Sequence, residues 1–156
     1  MADGPGFRTA IYCAGCHHAC KGCHNPQSWS FEAGRWMDVE DLLEEIKADE
    51  LSDVTFSGGD PFYQVEAFTE LARRIKEETS KTIWCWTGFT LEEIQASERL
   101  SMILPYIDVL VDGPFILEQR DTSLRFRGSP NQRILYLHGQ PPVDFIPGTV
   151  EMVHAR

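Results

Sequence analysis

The sequence predicts an α/β fold that is built around a parallel β-sheet. Short apolar runs typical of buried strands alternate along the chain with segments whose apolar residues recur at helical spacing. Each of the first four predicted strands runs into a loop rich in glycine, cysteine or aspartate. Parallel strands joined by helices bring their carboxyl ends to one edge of the sheet, so we expect these loops to converge on one site.

The predicted elements alternate in chain order. They are a strand over residues 8–13, a helix over 39–46, a strand over 53–56, a helix over 65–75, a strand over 82–86, a helix over 90–100 and a strand over 107–111. Asp38 is placed to cap the first helix, and Thr90 with Glu93 forms a capping box for the third. The remainder is expected to be loop with one or two final strands. Because no repeat or linker divides the chain, we expect one domain over residues 1–156.

The composition is that of an ordinary globular protein, with 42% hydrophobic and 24% charged residues. The formal net charge of -10 argues against a protein whose main partner is a nucleic-acid backbone, because such proteins cluster Lys and Arg. No apolar run approaches the roughly 20 residues that span a bilayer, and the first residues contain no secretory signal. We therefore expect a cytoplasmic protein with neither nucleic acid nor membrane as a partner.

Four of the five cysteines lie within eleven positions, which indicates a metal or redox site. Cys16, Cys20 and Cys23 have the spacing C-x3-C-x2-C, and thiolates are the usual ligands of iron–sulfur clusters. A 4Fe–4S cluster has four irons, so three cysteines leave one iron open to a substrate, as in catalytic metal sites. Cys13 and Cys85 are interpreted as small buried side chains.

Two other metal sites are compatible with the same residues. Zinc could bind these cysteines together with His17, His18 or His24. A ferredoxin-like electron carrier would need a fourth thiolate, which Cys13 could supply. We interpret His17 and His18 as loop residues rather than ligands.

Several motifs occur in a fixed order over nearly the whole chain. They are Asp-Gly-Pro-Gly-Phe-Arg at 3–8, the three-cysteine spacing at 16–23, Ser-Gly-Gly-Asp-Pro at 57–61, Trp-Cys-Trp-Thr-Gly at 84–88, Val-Asp-Gly at 111–113 and Arg-Gly-Ser-Pro-Asn-Gln-Arg at 127–133. Together they resemble the radical S-adenosylmethionine (SAM) glycyl-radical-enzyme activases, and among these the activating proteins of anaerobic (class III) ribonucleoside-triphosphate reductase. Pro114 departs from this pattern, because a lysine is expected after Asp112 and Gly113.

The resemblance implies a fold, a cofactor set and a reaction. The fold is an α/β open, partial TIM-like parallel barrel, the radical SAM core. The cofactors are a 4Fe–4S cluster on Cys16, Cys20 and Cys23 and a SAM molecule whose amino and carboxylate groups bind the open iron. An electron from flavodoxin or ferredoxin would split SAM into methionine and a 5′-deoxyadenosyl radical. That radical would take a hydrogen from a backbone glycine of the large reductase subunit, with no catalytic side chain beyond the cluster and SAM.

The resemblance also assigns SAM contacts to further residues. Besides Cys23, they are Gly22, His24, Gly58, Gly59, Asp60, Thr87 and Asp112. Gly58 and Gly59 would let the backbone approach the methionine amino group, and the alternative is a plain strand-to-helix turn with Asp60 as its N-cap.

Open alternatives remain for His24, for Asp112 and for the loop over 127–133. Gly22 occupies the position where many radical SAM enzymes carry an aromatic residue, so His24 could stack on adenine instead or be a capping or exposed side chain. Asp112 could bind the ribose of SAM or only form a turn. The loop over 127–133 is expected to shape the site, to contact the partner or to be only a solvated polar loop. Two other functions remain open, namely activation of a different glycyl radical enzyme and a non-enzymatic zinc or iron–sulfur binding module.

Overall fold

A computed structural model of the protein describes residues 3–23, 30, 32, 34–138 and 150–152. Its strands are β1 (Arg8–Cys13), β2 (Asp53–Gly58), β3 (Ile83–Trp86), β4 (Val109–Asp112), β5 (Arg133–Tyr136) and β6 (Val150–Met152). Its α-helices are α1 (Val39–Ala48), α2 (Val65–Glu78), α3 (Leu91–Gln95) and α4 (Glu98–Ser101). Short 3-10 turns lie at Pro61–Gln64, Leu104–Tyr106 and Leu117–Gln119.

The six strands form one sheet in the order β1–β2–β3–β4–β5–β6. Strands β1 to β4 pair in parallel, β5 is antiparallel to β4, and β6 is parallel to β5. Each strand lies beside its predecessor in the chain, so the carboxyl ends of the first four strands follow one another along one edge. The predicted α/β class with a parallel sheet is confirmed for β1 to β4.

The helices cover one face of this sheet. Alternate strand residues point to opposite faces, and Phe56 of β2 and Cys85 of β3 point into the helix-covered core. The apolar stripe predicted for the second helix is buried there, with α2 contributing Val65, Phe68, Leu71, Ala72 and Ile75. Among the described residues, no helix is long and apolar enough to cross a membrane.

The opposite face carries a smaller aromatic cluster. Trp84 and Trp86 lie two residues apart on β3, and their rings stack with centroids 5.5 Å apart. The ring of Phe126 meets Trp84 edge-on at 5.3 Å, and the Trp86 Nε1–H group donates to Phe126 O at 2.8 Å. The two tryptophans therefore share one sheet face, and the loop after β4 closes over them.

The predicted extent of the third helix, residues 90–100, is wrong. Helix α3 ends at Gln95, and Ser97 starts α4 by accepting a hydrogen bond from Leu100 N–H at 3.1 Å. Ser97 has extended backbone angles, and its side chain caps a new helix instead of continuing the first. The capping box of Thr90 and Glu93 is confirmed, whereas Asp38 lies at the N-cap of α1 without a side-chain hydrogen bond.

Strand β5 departs from the predicted parallel arrangement. It follows β4 through the loop over residues 113–132, in which the structure has a 3-10 turn and no α-helix. A parallel neighbour needs a crossover that carries the chain back along the sheet, usually through a helix. Without that helix the chain returns in the opposite direction, and β5 pairs antiparallel.

Candidate functional site

Hydrogen bonds join the loops that follow the first four strands. Asp60 N–H donates to Gly15 O at 2.8 Å, which holds the turn after β2 against the loop after β1. Thr87 Oγ1, after β3, donates to Asp60 Oδ2 at 2.8 Å. Gly113 N–H, after β4, donates to Phe89 O at 2.9 Å. The predicted convergence of these loops on one edge of the sheet is confirmed.

The loop after β1 carries the three cysteines of the C-x3-C-x2-C motif. Cys16, Cys20 and Cys23 are partly exposed, and Cys23 N–H donates to Cys20 O at 3.1 Å in a tight turn. All five cysteines lie in the described part of the chain, and none of them forms a disulfide. Three accessible thiols on one loop match the donor set of an iron–sulfur cluster with one open iron.

The three thiols are not arranged around a single ion. Over residues 3–23, 30, 32, 34–138 and 150–152, no group of three or more His, Cys, Asp or Glu side chains is placed to hold one metal ion. A 4Fe–4S cluster makes a different demand, because each thiolate binds a different iron and the sulfurs stand apart around the cube. The lack of a single-ion site in the described part of the chain is therefore compatible with a polynuclear cluster.

Burial distinguishes the other two cysteines from these three. Burial, assisted by the negative charge of Asp60, raises the pKa of Cys13 to about 12. Burial also raises the pKa of Cys85 well above its ordinary value. Such thiols stay protonated and unreactive, so the prediction of two small buried side chains is confirmed. Burial raises the pKa of Cys16 as well, and a metal that binds there must displace its proton.

The carboxylate of Asp60 lies at the centre of a buried polar group that we call the Asp60 hub. Asp60 is 0% exposed, and its Oδ1 accepts from Phe62 N–H at 3.0 Å as the N-cap of the turn that follows. Its Oδ2 accepts from Thr87 Oγ1 at 2.8 Å, from Gly88 N–H at 2.9 Å and from His18 Nε2 at 2.7 Å. One carboxylate thus ties together the loops after β1, β2 and β3.

Gly58 is the last residue of β2 and is paired with Cys13 at the end of β1. Its φ is +99°, and a Cβ at this position would lie 2.5 Å from the backbone nitrogen of Cys13. Gly59 N–H donates to Cys13 O at 2.7 Å. The glycine pair therefore lets two backbones touch. The amino group of the methionine part of SAM is a hydrogen-bond donor, so a SAM molecule bound at this turn would need backbone carbonyl oxygens as its acceptors.

We expect Gly58→Ala to destabilise the protein by about 2 kcal/mol or more, because it combines an unfavourable φ with a backbone clash. Gly6→Ala is the matched control, since Gly6 has a φ of +74° and nothing within 4 Å of an added Cβ. That change should cost only about 1 kcal/mol. Urea unfolding of the metal-free variants measures both values, and equal losses would contradict the close approach at Gly58.

Asp112 is held by protein groups at the end of β4. It is 1% exposed, and its Oδ2 accepts from Leu91 N–H at 2.7 Å and from Arg133 at 2.5 Å. Arg133 also donates to Glu92 at 2.7 Å, so it bridges β4, β5 and the first turn of α3. Hydrogen bonds to both carboxylates raise the pKa of Arg133 above its ordinary range.

Arg133→Met should lower the free energy of unfolding by about 2–3 kcal/mol, because it leaves the buried carboxylate of Asp112 without its cation. Arg73→Met provides the control, since Arg73 pairs with Glu77 on the exposed surface of α2, where ion pairs contribute little. Denaturant titration of the two variants tests the difference. Similar small losses in both would show that the pair of Asp112 and Arg133 is not a stabilising contact.

A cavity of about 710 Å³ opens on the aromatic face of the sheet. The turn over residues 3–6 forms one side, the loop over 120–128 forms another, and Ser57 and Trp86 contribute from the strands. Arg120, Arg125 and Arg127 are among the lining residues. Its volume is within the range of sites that bind small molecules.

Comparison with known proteins identifies the family. Residues 2–135 match a family model described as a 4Fe-4S single cluster domain. An anaerobic ribonucleoside-triphosphate reductase-activating protein of Haemophilus influenzae is 46% identical over 144 residues, which cover 86% of this chain and 90% of the relative. The chain belongs to the family of anaerobic ribonucleoside-triphosphate reductase-activating proteins.

Two further reductase-activating proteins show the breadth of the family. The protein of Escherichia coli K12 is 35% identical over 147 residues, which cover 88% of this chain and 93% of its own length. The protein of Enterobacteria phage T4 is 33% identical over 140 residues, with 86% of each chain covered. The resemblance to this family and the predicted 4Fe–4S domain are confirmed.

The predicted SAM residues occupy different positions in this reductase-activating protein. Gly59 N–H donates to Cys13 O in the turn after β2, and Asp60, Thr87 and Asp112 are buried with partners from the chain itself. A Cβ at Gly22 would lie 2.6 Å from Leu117, so this glycine packs against the segment after β4. His24 lies outside the described residues. The SAM contacts remain predictions.

Sequence reasoning missed three residues that build the site of this family member. The sequence favours a loop residue over a metal ligand at His18 and predicts no contact with Asp60, yet its ring reaches the Asp60 hub. Arg8 donates to Thr55 Oγ1 at 2.8 Å and packs over the Trp84 ring at 5.7 Å. Arg133 had no assigned partner. Each contact spans more than 20 residues of sequence, and no local spacing signals it.

Proposed function

We propose that this protein activates an anaerobic ribonucleoside-triphosphate reductase by cleaving SAM reductively at a 4Fe–4S cluster and installing a glycyl radical on the reductase. The observation that carries the proposal is the three-thiol loop, held at the carboxyl edge of the sheet beside the turn at Gly58 and Gly59. It occurs in a chain that is 46% identical to a protein named as such an activator. The protein is accordingly a radical SAM oxidoreductase.

In this proposal, Cys16, Cys20 and Cys23 bind three irons, and the fourth iron stays open for SAM. The cluster, when bound, supplies the electron that splits SAM. Gly58 and Gly59 present backbone carbonyls to the methionine amino group, while Gly22 and His24, which flank the third cysteine in the sequence, are the predicted contacts of adenine. The partly exposed thiols suit this role, since a cofactor must reach them from solvent.

Asp60, Thr87 and Asp112 act in the proposal mainly by positioning. The oxygen atoms of Asp60 already accept four hydrogen bonds from within the chain, so its carboxylate orders the loops instead of contacting SAM. The hydroxyl of Thr87 donates to Asp60, and this hydrogen bond keeps the start of the loop after β3 in place. Asp112 accepts a hydrogen bond from Leu91 N–H and so fixes the N-terminus of α3. Because its carboxylate is also paired with Arg133, it has little capacity left to accept a hydrogen bond from a ribose hydroxyl.

We further propose that the sheet is the wall of a partial, open radical SAM barrel within one domain over residues 1–156. The aromatic face with its cavity of about 710 Å³ would be the concave interior that receives the glycine-bearing loop of the large reductase subunit. The lining turn over 3–6 and the loop over 127–133, both parts of the motif set, support this orientation. Flavodoxin or ferredoxin as electron donor, and the cytoplasm as location, stay predictions.

The test is anaerobic reconstitution with iron and sulfide, followed by reduction in the presence of SAM. We expect a 4Fe–4S EPR signal that changes when SAM is added, release of 5′-deoxyadenosine, and a glycyl radical signal on an added class III reductase. Cys16→Ala is the control, and it should give none of the three. A protein that binds a single tetrahedral zinc, or a cluster whose EPR signal ignores SAM, would overturn the proposal.

A further inference from the structure

His18 sits in the middle of the cysteine loop, between Cys16 and Cys20, yet its side chain points away from solvent. Its Nε2 lies 2.7 Å from Oδ2 of Asp60, where it donates to the carboxylate. The His18 side chain is 16% exposed and that of Asp60 is 0% exposed. A polar contact of this length in a buried setting is strong, and both groups lose it together if the loop moves.

The surroundings of His18 are shaped to receive its ring. The ring meets Phe89 edge-on with centroids 4.6 Å apart and lies 5.5 Å from the ring of Tyr63. A Cβ at Gly88 would lie 2.6 Å from His18 Cδ2 and 2.8 Å from its Nε2. Residue 88 therefore has to lack a side chain for the imidazole to reach Asp60.

The rest of the Asp60 hub forms a fixed frame for this contact. Phe62 N–H, Thr87 Oγ1 and Gly88 N–H hold the Asp60 carboxylate from the turns after β2 and β3. These turns follow β2 and β3, which lie inside the sheet with a paired strand on each side. His18 thus connects a loop that carries metal ligands to a rigid part of the fold.

We propose that His18 is a positioning residue that anchors the cysteine loop to the Asp60 hub and thereby preorganises Cys16, Cys20 and Cys23 for the iron–sulfur cluster. The proposal rests on the proposed function, because it takes these cysteines as the ligands. A loop that is already ordered loses less conformational freedom when it binds its cofactor. Replacing a group that orients a metal ligand commonly lowers the affinity for the metal by about 10–100-fold.

Three variants of the reconstituted protein separate the parts of this contact. His18→Phe keeps a ring against Phe89 and Tyr63 but has no donor for Asp60, whereas His18→Gln keeps a donor without the ring. His17→Phe is the matched control, because the His17 ring meets Tyr63 at 5.2 Å and phenylalanine preserves such a contact. The measurement is the rate of iron release to a strong chelator under anaerobic conditions.

We expect His18→Phe to release iron about 10-fold faster than the wild type, His18→Gln to show an intermediate rate, and His17→Phe to stay within about twofold. Hydrogen exchange on the metal-free proteins gives a second readout that does not involve activity. In His18→Phe, the amides of residues 16–23 should exchange faster, while those of α2 should be unchanged. A defect of the whole fold would accelerate both.

Gly88→Ala provides an independent route to the same result, since it leaves residue 18 intact and fills the space of its ring. We expect it to reproduce the fast iron release and the fast exchange of His18→Phe, and it replaces that variant if His18→Phe does not fold. Iron release and loop exchange equal to those of the wild type in both variants would overturn the anchor. If the wild type itself takes up no iron–sulfur cluster, the proposed function fails, and the exchange of residues 16–23 still decides whether His18 orders the loop.

Discussion

Cys16→Ala, Cys20→Ala and Cys23→Ala will each abolish assembly of the 4Fe–4S cluster, whereas Cys13→Ala and Cys85→Ala will leave it intact. The three partly exposed cysteines share one loop and are the proposed iron ligands, so removing any one opens a second iron to solvent. Cys13 and Cys85 are buried among apolar side chains, and burial raises the pKa of both thiols. Their replacement should cost stability, through a small cavity in both variants and through the lost contact of Gln64 Nε2 with Cys13 Sγ in one, without removing an iron ligand.

Iron and sulfide content after anaerobic reconstitution, together with the EPR signal of the reduced protein, measures this difference. The unfolding curves of the metal-free variants provide the control, because all five proteins must be folded for the comparison to hold. If Cys13→Ala lost its cluster as completely as the other three, the cluster would have four protein ligands. An open iron for SAM would then be excluded.

Asp60→Asn will cause the second large effect, a loss of about 3 kcal/mol or more in the free energy of unfolding. The oxygen Oδ2 accepts hydrogen bonds from His18, Thr87 and Gly88, and an amide group in its place would face these donors with hydrogens of its own. Each buried donor left without an acceptor costs about 1–3 kcal/mol. Because the same change releases the cysteine loop, cluster content should fall as well.

Asp49→Asn is the matched control for this substitution. Asp49 also accepts hydrogen bonds from backbone groups, those of Leu51 and Ser52, but it lies on the exposed surface beyond α1. Water replaces the lost contacts there, so the change in urea midpoint should be a small fraction of that in Asp60→Asn. Equal midpoints for the two variants would mean that the Asp60 hub does not hold the loops together.

Local patterns predicted the parts of this molecule that are built from near neighbours in sequence. Strand β1 occupies residues 8–13 as expected, and the capping box of Thr90 and Glu93 forms as expected. The cysteine motif belongs to the same class, because its three thiols lie within eight residues. In each case the interacting groups are close enough along the chain for their spacing to encode the structure.

The Asp60 hub could not be predicted in this way. Its donors His18, Thr87 and Gly88 lie 42, 27 and 28 residues from Asp60, and only the packing of the strands brings them together. The position of Asp60 after two glycines was compatible with a cap, with a cofactor contact or with both. The break between α3 and α4 could not be predicted for a related reason. A serine is compatible with a helix interior, and only the structure shows that the side chain of Ser97 accepts a hydrogen bond from Leu100 N–H and so begins a new helix.

Hydrogen bonds between groups of the chain itself join the loops at the sheet edge, among them those from Asp60 N–H to Gly15 O and from Thr87 Oγ1 to Asp60 Oδ2. Because these bonds do not use the cysteine thiols, we expect loss of the cluster in air to leave the sheet folded. Iron and sulfide supplied under anoxic conditions should then rebuild the cluster in the same molecules.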